Sequence, residues 1–549
     1  MTRISGATAL LRGLMDHGID TIFGLPGGQL DHFFDAMYHE RDNLRVFCSR
    51  HEQGAAYMAF GAARSTGKPA VYAVVPGPGV LNTTAALSTA YACNAPVLCL
   101  TGQIPSTSIG KGFGELHELP DQLTGLRLLT KWAERIERPA DAPQAVARAF
   151  SAMLSGRVRP VALEMAPDVM GLEEDVIRVT PASLTAPEPD PDAITAAARI
   201  IANARCPMIY VGGGAVDACA EVQELASMLG APVVSFRSGR GVIPDEHPLG
   251  FTLPAGHRIW PTVDVVIGIG SRMMEPLLHW GVDDDLKVVR IDIDPDEIAR
   301  AGQPDAAILA DARAALRALI PAVGSRLRSG SRSVEELSRI KAGVARDIQR
   351  VQPQLDYLTA IRDVLPRDGI FCDEITQCGY ASWYAFPVSR PREHINCSYQ
   401  GTLGYGYATA LGVNVANPDR PVVSIAGDGG FMFNVQELAT AVKYGIALKT
   451  IVFNSNSFTN VQRQQREWFG NRLICSDLCN PNFVQLAEAF GAAGYRANSP
   501  AQLRTVLARA MGEPGPAIIE VPVGDMATPW EFIILPQTRR RNTDKQRVA

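Results

Sequence analysis

The chain has 549 residues, of which 46% are hydrophobic and 20% are charged, and its formal net charge is −5. This length is too great for one hydrophobic core and predicts several domains. The acidic balance argues against a general nucleic-acid or anionic-membrane surface, and no apolar run reaches the roughly 18 residues of a membrane span. The ten cysteines form no CxxC pair and several lie in apolar strands, so we expect reduced thiols in a cytoplasmic protein.

The first part of the chain, residues 1–175, alternates helical and strand patterns. Apolar segments such as AVYAVVPGPG and APVLCLTG are interleaved with helical segments such as QGAAYMAFGAARSTG, which predicts a doubly wound parallel sheet. The turns at two strand exits, Gly24–Gly28 and Pro76–Gly79, would line the C-terminal edge of that sheet.

A Pro-rich segment, PASLTAPEPDPD, marks the boundary to a second α/β segment at residues 190–330. A third α/β segment covers residues 350–535, and a polar tail follows at 536–549. We therefore predict an α/β protein with three doubly wound parallel-sheet domains, of which the first and third have a similar element order. The basic tail residues are expected to be solvated: Arg539, Arg540, Arg541, Lys545 and Arg547.

The stretch from Pro421 to Val461 predicts a βαβ unit, because two apolar runs, PVVSIAG and KTIVFN, flank the helical pattern FMFNVQELATAVKYG. A crossover returns the chain to a parallel neighbour, so Asp428 and the Asn454–Asn456 cluster should meet at one sheet edge. Gly429 and Gly430 carry no Cβ and allow a phosphate to approach the main chain. Carboxylate and amide oxygens suit Mg²⁺ or Ca²⁺, so the stretch predicts a metal-bridged diphosphate site.

Three further motifs carry less information on their own. Glu52 ends the strand of LRVFCSRHE and begins a helix, where it could share a proton from a partly buried position or simply cap the helix. The segment YQGTLGYGYATALG contains Leu403 among glycines and is by itself more typical of a helix-packing turn. The triplet Gly212–Gly214 follows a strand but departs from GxGxxG.

Together, RHEQGAA, GTLGYG and GDGG followed by an Asn-rich strand end resemble the thiamine diphosphate enzymes of the acetolactate synthase type, and the chain is also similar to the cyclohexane-1,2-dione hydrolases. The resemblance covers roughly residues 1 to 535 and includes the domain order. It implies a pyrimidine-binding first domain, a middle domain and a diphosphate-binding third domain. It also implies a homodimer or homotetramer with active sites at the subunit interface.

The resemblance assigns roles residue by residue. Glu52 would bond the pyrimidine ring of thiamine diphosphate, Gly401 would accept from its amino group, and Leu403 would hold the bent cofactor. Asp428 and the Ser457 carbonyl would bind Mg²⁺. The full cofactor-binding set that we predict is Gly27, Gly401, Leu403, Gly427, Gly429, Gly430, Asn454 and Phe458, and the predicted catalytic residues are Glu52, His117 and Gln53.

The metal motif departs from the family at its centre. The family places Asn or Asp 27 positions after the motif's Asp, and this position is Ser455. A hydroxyl is a weaker ligand than an amide or carboxylate oxygen. Three outcomes stay open: Ser455 binds the metal, Asn456 takes its place, or metal affinity is low. We take Ser455, with Asp428 and Ser457, as the predicted metal shell.

The substrate side of the site is more ambiguous. His117 stands where acetolactate synthases have a Gln, and Gln464 stands where they have a Trp, which argues against ordinary branched-chain biosynthesis with 2-oxobutyrate. His117 could shuttle a proton at neutral pH, or it could be a surface histidine. The candidate pocket walls are Gly27, Gly28, Gln53, Phe113, Trp530 and Phe532.

Three functions follow as hypotheses. The first is a Mg²⁺-dependent carboligase or decarboxylase that takes a pyruvate-like 2-oxo acid and transfers its acyl group to a second carbonyl. The second is a lyase or hydrolase of 1,2-diketones, and the third is a non-catalytic nucleotide-binding protein. The GGG turn and IDIDPDE of the middle domain resemble the flavin-binding acetolactate synthases, but MMEPLLHWG replaces an Arg- and Asp-rich run, so FAD, another nucleotide or neither could bind.

Overall fold

The computed structural model describes residues 2–183, 186–326 and 332–541. It contains three parallel six-stranded sheets, each interleaved with helices, and so confirms the predicted three-domain α/β fold. The strands follow one another in the chain and are joined by helical crossovers, which is the arrangement expected when apolar strand runs alternate with amphipathic segments.

The strands of the first domain are β1 (Thr2–Ser5), β2 (Thr21–Gly24), β3 (Arg45–Cys48), β4 (Ala70–Val74), β5 (Val97–Gly102), β6 (Trp132–Ile136), β7 (Val161–Met165) and β8 (Glu173–Val176). The first sheet has the strand order β3-β2-β4-β5-β7-β6, and β1 pairs with β8 in a separate antiparallel ribbon. Its helices are α1 (Gly6–Asp16), α2 (Asp31–His39), α3 (Glu52–Thr66), α4 (Pro78–Asn82), α5 (Thr84–Ala92), α6 (Gln122–Leu129), α7 (Ala142–Leu154) and α8 (Pro167–Gly171).

The middle sheet has the order β11-β10-β9-β12-β13-β14, which is the strand order typical of dinucleotide-binding sheets. Its strands are β9 (Pro207–Val211), β10 (Val233–Ser235), β11 (Gly250–Thr252), β12 (Val265–Ile269), β13 (Lys287–Asp292) and β14 (Ala306–Leu309). Its helices are α9 (Pro191–Ile201), α10 (Cys219–Leu229), α11 (Leu253–Ile259), α12 (Pro295–Ile298) and α13 (Ala312–Gly324), and α14 (Val334–Asp347) leads to the third domain.

The third sheet has the order β16-β15-β17-β18-β20-β19, the same relative order as the first sheet. Its strands are β15 (Ile370–Cys372), β16 (His394–Ile395), β17 (Val422–Gly427), β18 (Lys449–Asn454), β19 (Ala493–Arg496) and β20 (Ala517–Pro522). Its helices are α15 (Gln354–Val364), α16 (Gln377–Ala385), α17 (Gly406–Ala416), α18 (Asp428–Phe431), α19 (Leu438–Tyr444), α20 (Thr459–Trp468), α21 (Phe483–Phe490) and α22 (Pro500–Met511).

The first and third domains share one hydrophobic core, in which residues of α3 and α17 lie between the two sheets. The two helices cross so closely that main-chain atoms of one helix lie against the other helix. A Cβ on Gly61 of α3 would fall on the carbonyl oxygen of Thr409, and a Cβ on Gly412 of α17 would fall on the carbonyl oxygen of Met58. Only glycine allows this approach, so the two positions fix how the outer domains are joined.

Two expectations need correction. The helix predicted after Asp428 is broken into α18, a short 3₁₀ turn at Val435–Glu437 and α19. The break occurs at the fully buried Asn434, whose side chain donates to the Gly404 carbonyl at 2.6 Å. In a continuous helix the side chain of Asn434 would not point towards Gly404.

The second correction concerns the tail. Arg539 is buried and not solvated, because its guanidinium donates to the carbonyls of Pro261 and Val263 and pairs with Asp283. Arg540 and Arg541 are exposed as predicted, and Lys545 and Arg547 lie outside the described residues. Among the described residues, no helix is both long and apolar enough to cross a membrane.

The helix crossing gives a direct test. We expect Gly61→Ala or Gly412→Ala to destabilise the protein by about 1–3 kcal/mol or more, because overpacking against main-chain atoms cannot be relieved by a rotamer change. Gly125→Ala in α6 is the matched control, since its Cβ would meet open space. Replacing that exposed helical glycine should be neutral or slightly stabilising. Melting temperatures measure both effects, and an unchanged value for the crossing variants would show that the contact is not needed.

Candidate active site

A cavity of about 240 Å³ lies at the C-terminal ends of β17 and β18. Its wall brings together most of the predicted third-domain residues: Leu403, Gly427, Asp428, Gly429, Gly430, Ser455, Ser457 and Phe458. Two predicted residues are not in this wall. Gly401 lies two residues before Leu403 in the chain and has a φ of +60°. Asn454 donates from its side-chain amide to Glu520 at 2.8 Å.

Asp428 is the buried acid of this cavity. Its carboxylate accepts from the Ser455 amide at 3.2 Å, as expected from the parallel pairing of β17 with β18. It also accepts from the side-chain amide of Asn480 at 2.8 Å, and Asn480 reaches Asn454 as well. Burial raises the pKa of Asp428.

Next to Asp428, three hydroxyls form a cluster. Ser455 Oγ lies 2.8 Å from Thr459 Oγ1 and 3.3 Å from Ser457 Oγ, and it donates to the Ser457 carbonyl at 3.1 Å. Asn456 is exposed and directs its side chain towards Asn480 at 3.3 Å. The cavity therefore has an oxygen-rich wall made by one carboxylate, one carbonyl and three hydroxyls.

Two buried side chains form hydrogen bonds to the turn that carries Leu403. The Glu374 carboxyl accepts from the amides of Gly404 at 2.6 Å and Gly406 at 3.2 Å, while Asn434 donates to the Gly404 carbonyl. Burial raises the pKa of Glu374 to about 8. A Cβ on Gly430 would lie 3.0 Å from the same carboxyl, so Glu374 contacts both the Leu403 turn and the GDGG turn.

Glu52 occupies the first position of α3, and its side chain is 14% exposed. Its Oε2 accepts from the Asn82 amide at 3.0 Å, and its Oε1 lies near Gly79. It does not cap its own helix. The N-cap of α3 is His51, whose Nδ1 accepts from the Gln53 amide at 3.2 Å. The fully buried Glu437 accepts from the amides of Arg50 and His51, just before the helix, at 3.1–3.2 Å.

His117 contacts the Pro76–Gly79 turn, which also lies near Glu52. Its carbonyl lies where a Cβ of Gly77 would be, and its ring Nδ1 is 3.1 Å from Gln29 Oε1. Gln53 donates its main-chain amide to His51, and Gly27 leaves room for the Val75 side chain. Phe113 is 67% exposed. Of the predicted first-domain residues, Gly27, Glu52 and His117 thus lie beside the segment Val75–Gly79.

The structure does not bring the two clusters together within one chain. No described residue of the first domain lines the cavity that contains Asp428. Near the C-terminus, Val523, Gly524 and Met526 line the cavity, whereas Phe532 is buried in the third-domain core and Trp530 donates to Asn460.

A second cavity, of about 310 Å³, lies between all three domains at the C-terminal ends of β9 and β12. Gly212–Gly214 forms part of its wall; Gly212 and Gly214 pack directly on Gly270, where side chains would clash, and Gly213 faces Ser238. Several of its lining residues have buried polar atoms without a hydrogen-bond partner in the described structure: Arg64, Arg237, Ser238 and Glu297. Unpaired buried polar groups are costly, which points to a polar ligand.

Glu374, Asn434, Glu437, Asn480 and Asn82 were missed by sequence reasoning. Glu374 offered a signal, because it follows the apolar strand IFC and should lie at the sheet edge. The contacts of Glu437 and Asn82 depend on packing between segments that are distant in the chain, so no local sequence pattern predicts them.

Comparison with known proteins agrees with this geometry. Residues 4–124 match the N-terminal TPP binding domain of thiamine pyrophosphate enzymes, residues 194–319 match the central domain, and residues 374–521 match the C-terminal TPP binding domain. The chain is 32% identical to an acetolactate synthase of Arthrospira platensis, over 95% of this chain and 94% of the relative. It is 30% identical to the acetolactate synthase isozyme 1 large subunit of Escherichia coli (strain K12), over 94% of each.

A probable 2-ketoarginine decarboxylase of Pseudomonas aeruginosa is also 30% identical, over 94% of each chain. The similarity to these relatives thus extends across all three domains and does not depend on one motif. The chain belongs to the acetolactate synthase-like family of thiamine diphosphate-dependent enzymes.

Proposed function

We propose that this protein is a Mg²⁺-dependent carboligase that decarboxylates a pyruvate-like 2-oxo acid and transfers the acyl group to a second carbonyl. The observation that carries the proposal is the cavity in which Asp428, Ser455 and Ser457 present oxygens beside Leu403. When bound, thiamine diphosphate supplies a carbon nucleophile for a carbonyl and an electron sink for the loss of CO₂. A cytoplasmic location stays a prediction.

The residues present fit the cofactor's diphosphate and its metal. Mg²⁺ prefers octahedral oxygen ligands at about 2.0–2.1 Å, so neighbouring ligands lie about 3 Å apart. The hydroxyl of Ser455 and the carbonyl of Ser457 are 3.1 Å apart. With the Asp428 carboxylate, they would hold the metal, and the glycines after Asp428 leave space for phosphate oxygens.

Glu52 would hold a proton at the pyrimidine nitrogen, with Asn82 fixing one of its carboxylate oxygens. Leu403 would support the bent cofactor through apolar contact, since the neighbouring turn is held rigidly by Glu374 and Asn434. The separation of the Glu52 cluster from the Asp428 cavity supports an active site completed by a second chain. We therefore propose a homodimer or homotetramer.

We also propose that the three-domain cavity binds FAD. The strand order of the middle sheet, the side-chain-free Gly212–Gly214 turn and the unpaired buried atoms of Arg64 and Arg237 support a dinucleotide there. Guanidinium groups suit the diphosphate. The flavin would have a structural role, because the proposed reaction needs no redox partner.

The reaction class is tested with a substrate panel. Purified protein with added thiamine diphosphate and Mg²⁺ should release CO₂ from pyruvate or a related 2-oxo acid and form a C–C ligation product. A ring-opened acid from a cyclic 1,2-diketone, without CO₂ release from any 2-oxo acid, would favour the lyase alternative. If neither product forms, the proposal is wrong.

Glu52→Gln should lower turnover by at least about 10²-fold, because the amide cannot exchange a proton with the cofactor. Glu173→Gln on β8 is the matched control, since that carboxylate is exposed and pairs only loosely with Arg3 at 3.5 Å. Normal turnover of the Glu52 variant would contradict the role given to this residue.

The metal shell is tested by titrating Mg²⁺ in the presence of thiamine diphosphate and following binding by calorimetry. Ser455→Ala should weaken Mg²⁺ binding about tenfold, which corresponds to about 1.4 kcal/mol, and Ser455→Asn should strengthen it because an amide oxygen is the better ligand. Asn456→Ser should leave the affinity unchanged. Loss of affinity in the Asn456 variant, with no effect of Ser455→Ala, would transfer the ligand role to Asn456.

For the second cofactor, denaturing the purified protein should release FAD into the supernatant, where chromatography identifies it. Gly213→Val should abolish this release, because its side chain would enter the cavity beside Ser238 without meeting main-chain atoms. Release of another nucleotide, or of none, would overturn the FAD assignment.

A further inference from the structure

His117 is held in an uncommon backbone conformation at the edge of the first sheet. Its φ is +69°, in the left-handed region that non-glycine residues rarely adopt. Its carbonyl packs on Gly77, whose amide donates to Gln122 at 2.9 Å. The imidazole is therefore anchored beside the same turn that contacts Glu52.

One side chain of a different segment determines how this ring is protonated. Gln29, 7% exposed, donates from Nε2 to the Leu116 carbonyl at 3.0 Å. A carbonyl can only accept, so the Gln29 atom that faces Leu116 must be the NH₂ group. The amide oxygen of Gln29 is then the atom that faces His117.

This orientation fixes the tautomer. Gln29 Oε1 is an acceptor 3.1 Å from Nδ1 of His117, so the neutral ring carries its proton on Nδ1. The other nitrogen, Nε2, then has the lone pair, and no described residue bonds it. The carboxylates nearest in the loop are engaged elsewhere: Glu115 accepts from Ser108, and Glu118 accepts from the amides of Gly112 and Gly114.

We infer that Gln29 is a positioning residue that holds His117 as its Nδ1–H tautomer and leaves Nε2 to exchange a proton with the substrate. The inference rests on the proposed function for the identity of that substrate, a 2-oxo acid or its carbonyl acceptor. The tautomer itself depends only on the Gln29, Leu116 and His117 contacts.

The test is the ¹⁵N NMR spectrum of the histidine imidazoles in folded protein that carries ¹⁵N-labelled histidine. The signals that disappear in His117→Gln are assigned to His117. The native protein should show the protonated nitrogen of His117 at Nδ1. Gln29→Leu, which removes both bonds, should shift the His117 signals towards a mixture of tautomers. Gln29→Glu loses the bond to Leu116 but keeps an acceptor for Nδ1–H, so the proton on Nδ1 should be retained.

Ser108→Ala is the matched control, because it removes a hydrogen bond of the same loop without touching the ring. It should leave the His117 signals unchanged. In turnover, Gln29→Leu should lower kcat about tenfold and His117→Gln about 10²-fold, with smaller changes in KM. A purely structural role of Gln29 would instead make the Glu variant as defective as the Leu variant.

A native spectrum with the proton on Nε2, or an unchanged spectrum in a folded Gln29→Leu protein, would overturn the inference. The spectrum is read without turnover. A protein with the Nδ1–H tautomer but without activity on 2-oxo acids would therefore support the positioning role of Gln29 and overturn the proposed function.

Discussion

The structure depends above all on the direct main-chain contact between α3 and α17. Gly61 and Gly412 let the two helices approach until each lies against carbonyl groups of the other, and the hydrophobic core of the first and third domains closes around them. The first residue of α3 is Glu52, and the turn before α17 carries Leu403. The crossing thus fixes the positions of two motifs of the candidate site at once.

Buried carboxylates organise the same region by binding main-chain amides. Glu437 holds the start of α3 from the third domain, and Glu374 holds the turn that carries Leu403. Burial raises the pKa of both carboxyl groups, and the hydrogen bonds from main-chain amides, together with the bond from the Thr440 hydroxyl to Glu437, act in the opposite direction. These hydrogen bonds orient both motifs.

Much of this arrangement could be predicted from sequence, and the reason is local. Apolar runs separated by helical patterns define parallel strands, and parallel strands place their C-terminal ends together, which is why Asp428 and Ser455 were expected to meet. The break in the helix after α18 could not be predicted, because Asn434 bonds a carbonyl of a turn 30 residues away. Arg539 was missed for the same reason: its acceptors belong to a segment more than 270 residues earlier.

The glycine crossing also has a thermodynamic consequence for assembly. Because no layer of side chains separates α3 from α17, the helices have little room to slide or change rotamers. Each chain then presents its Glu52 cluster and its Asp428 cavity at a set spacing. Formation of the proposed dimer or tetramer would therefore cost little conformational entropy, since the surfaces that must match are already ordered.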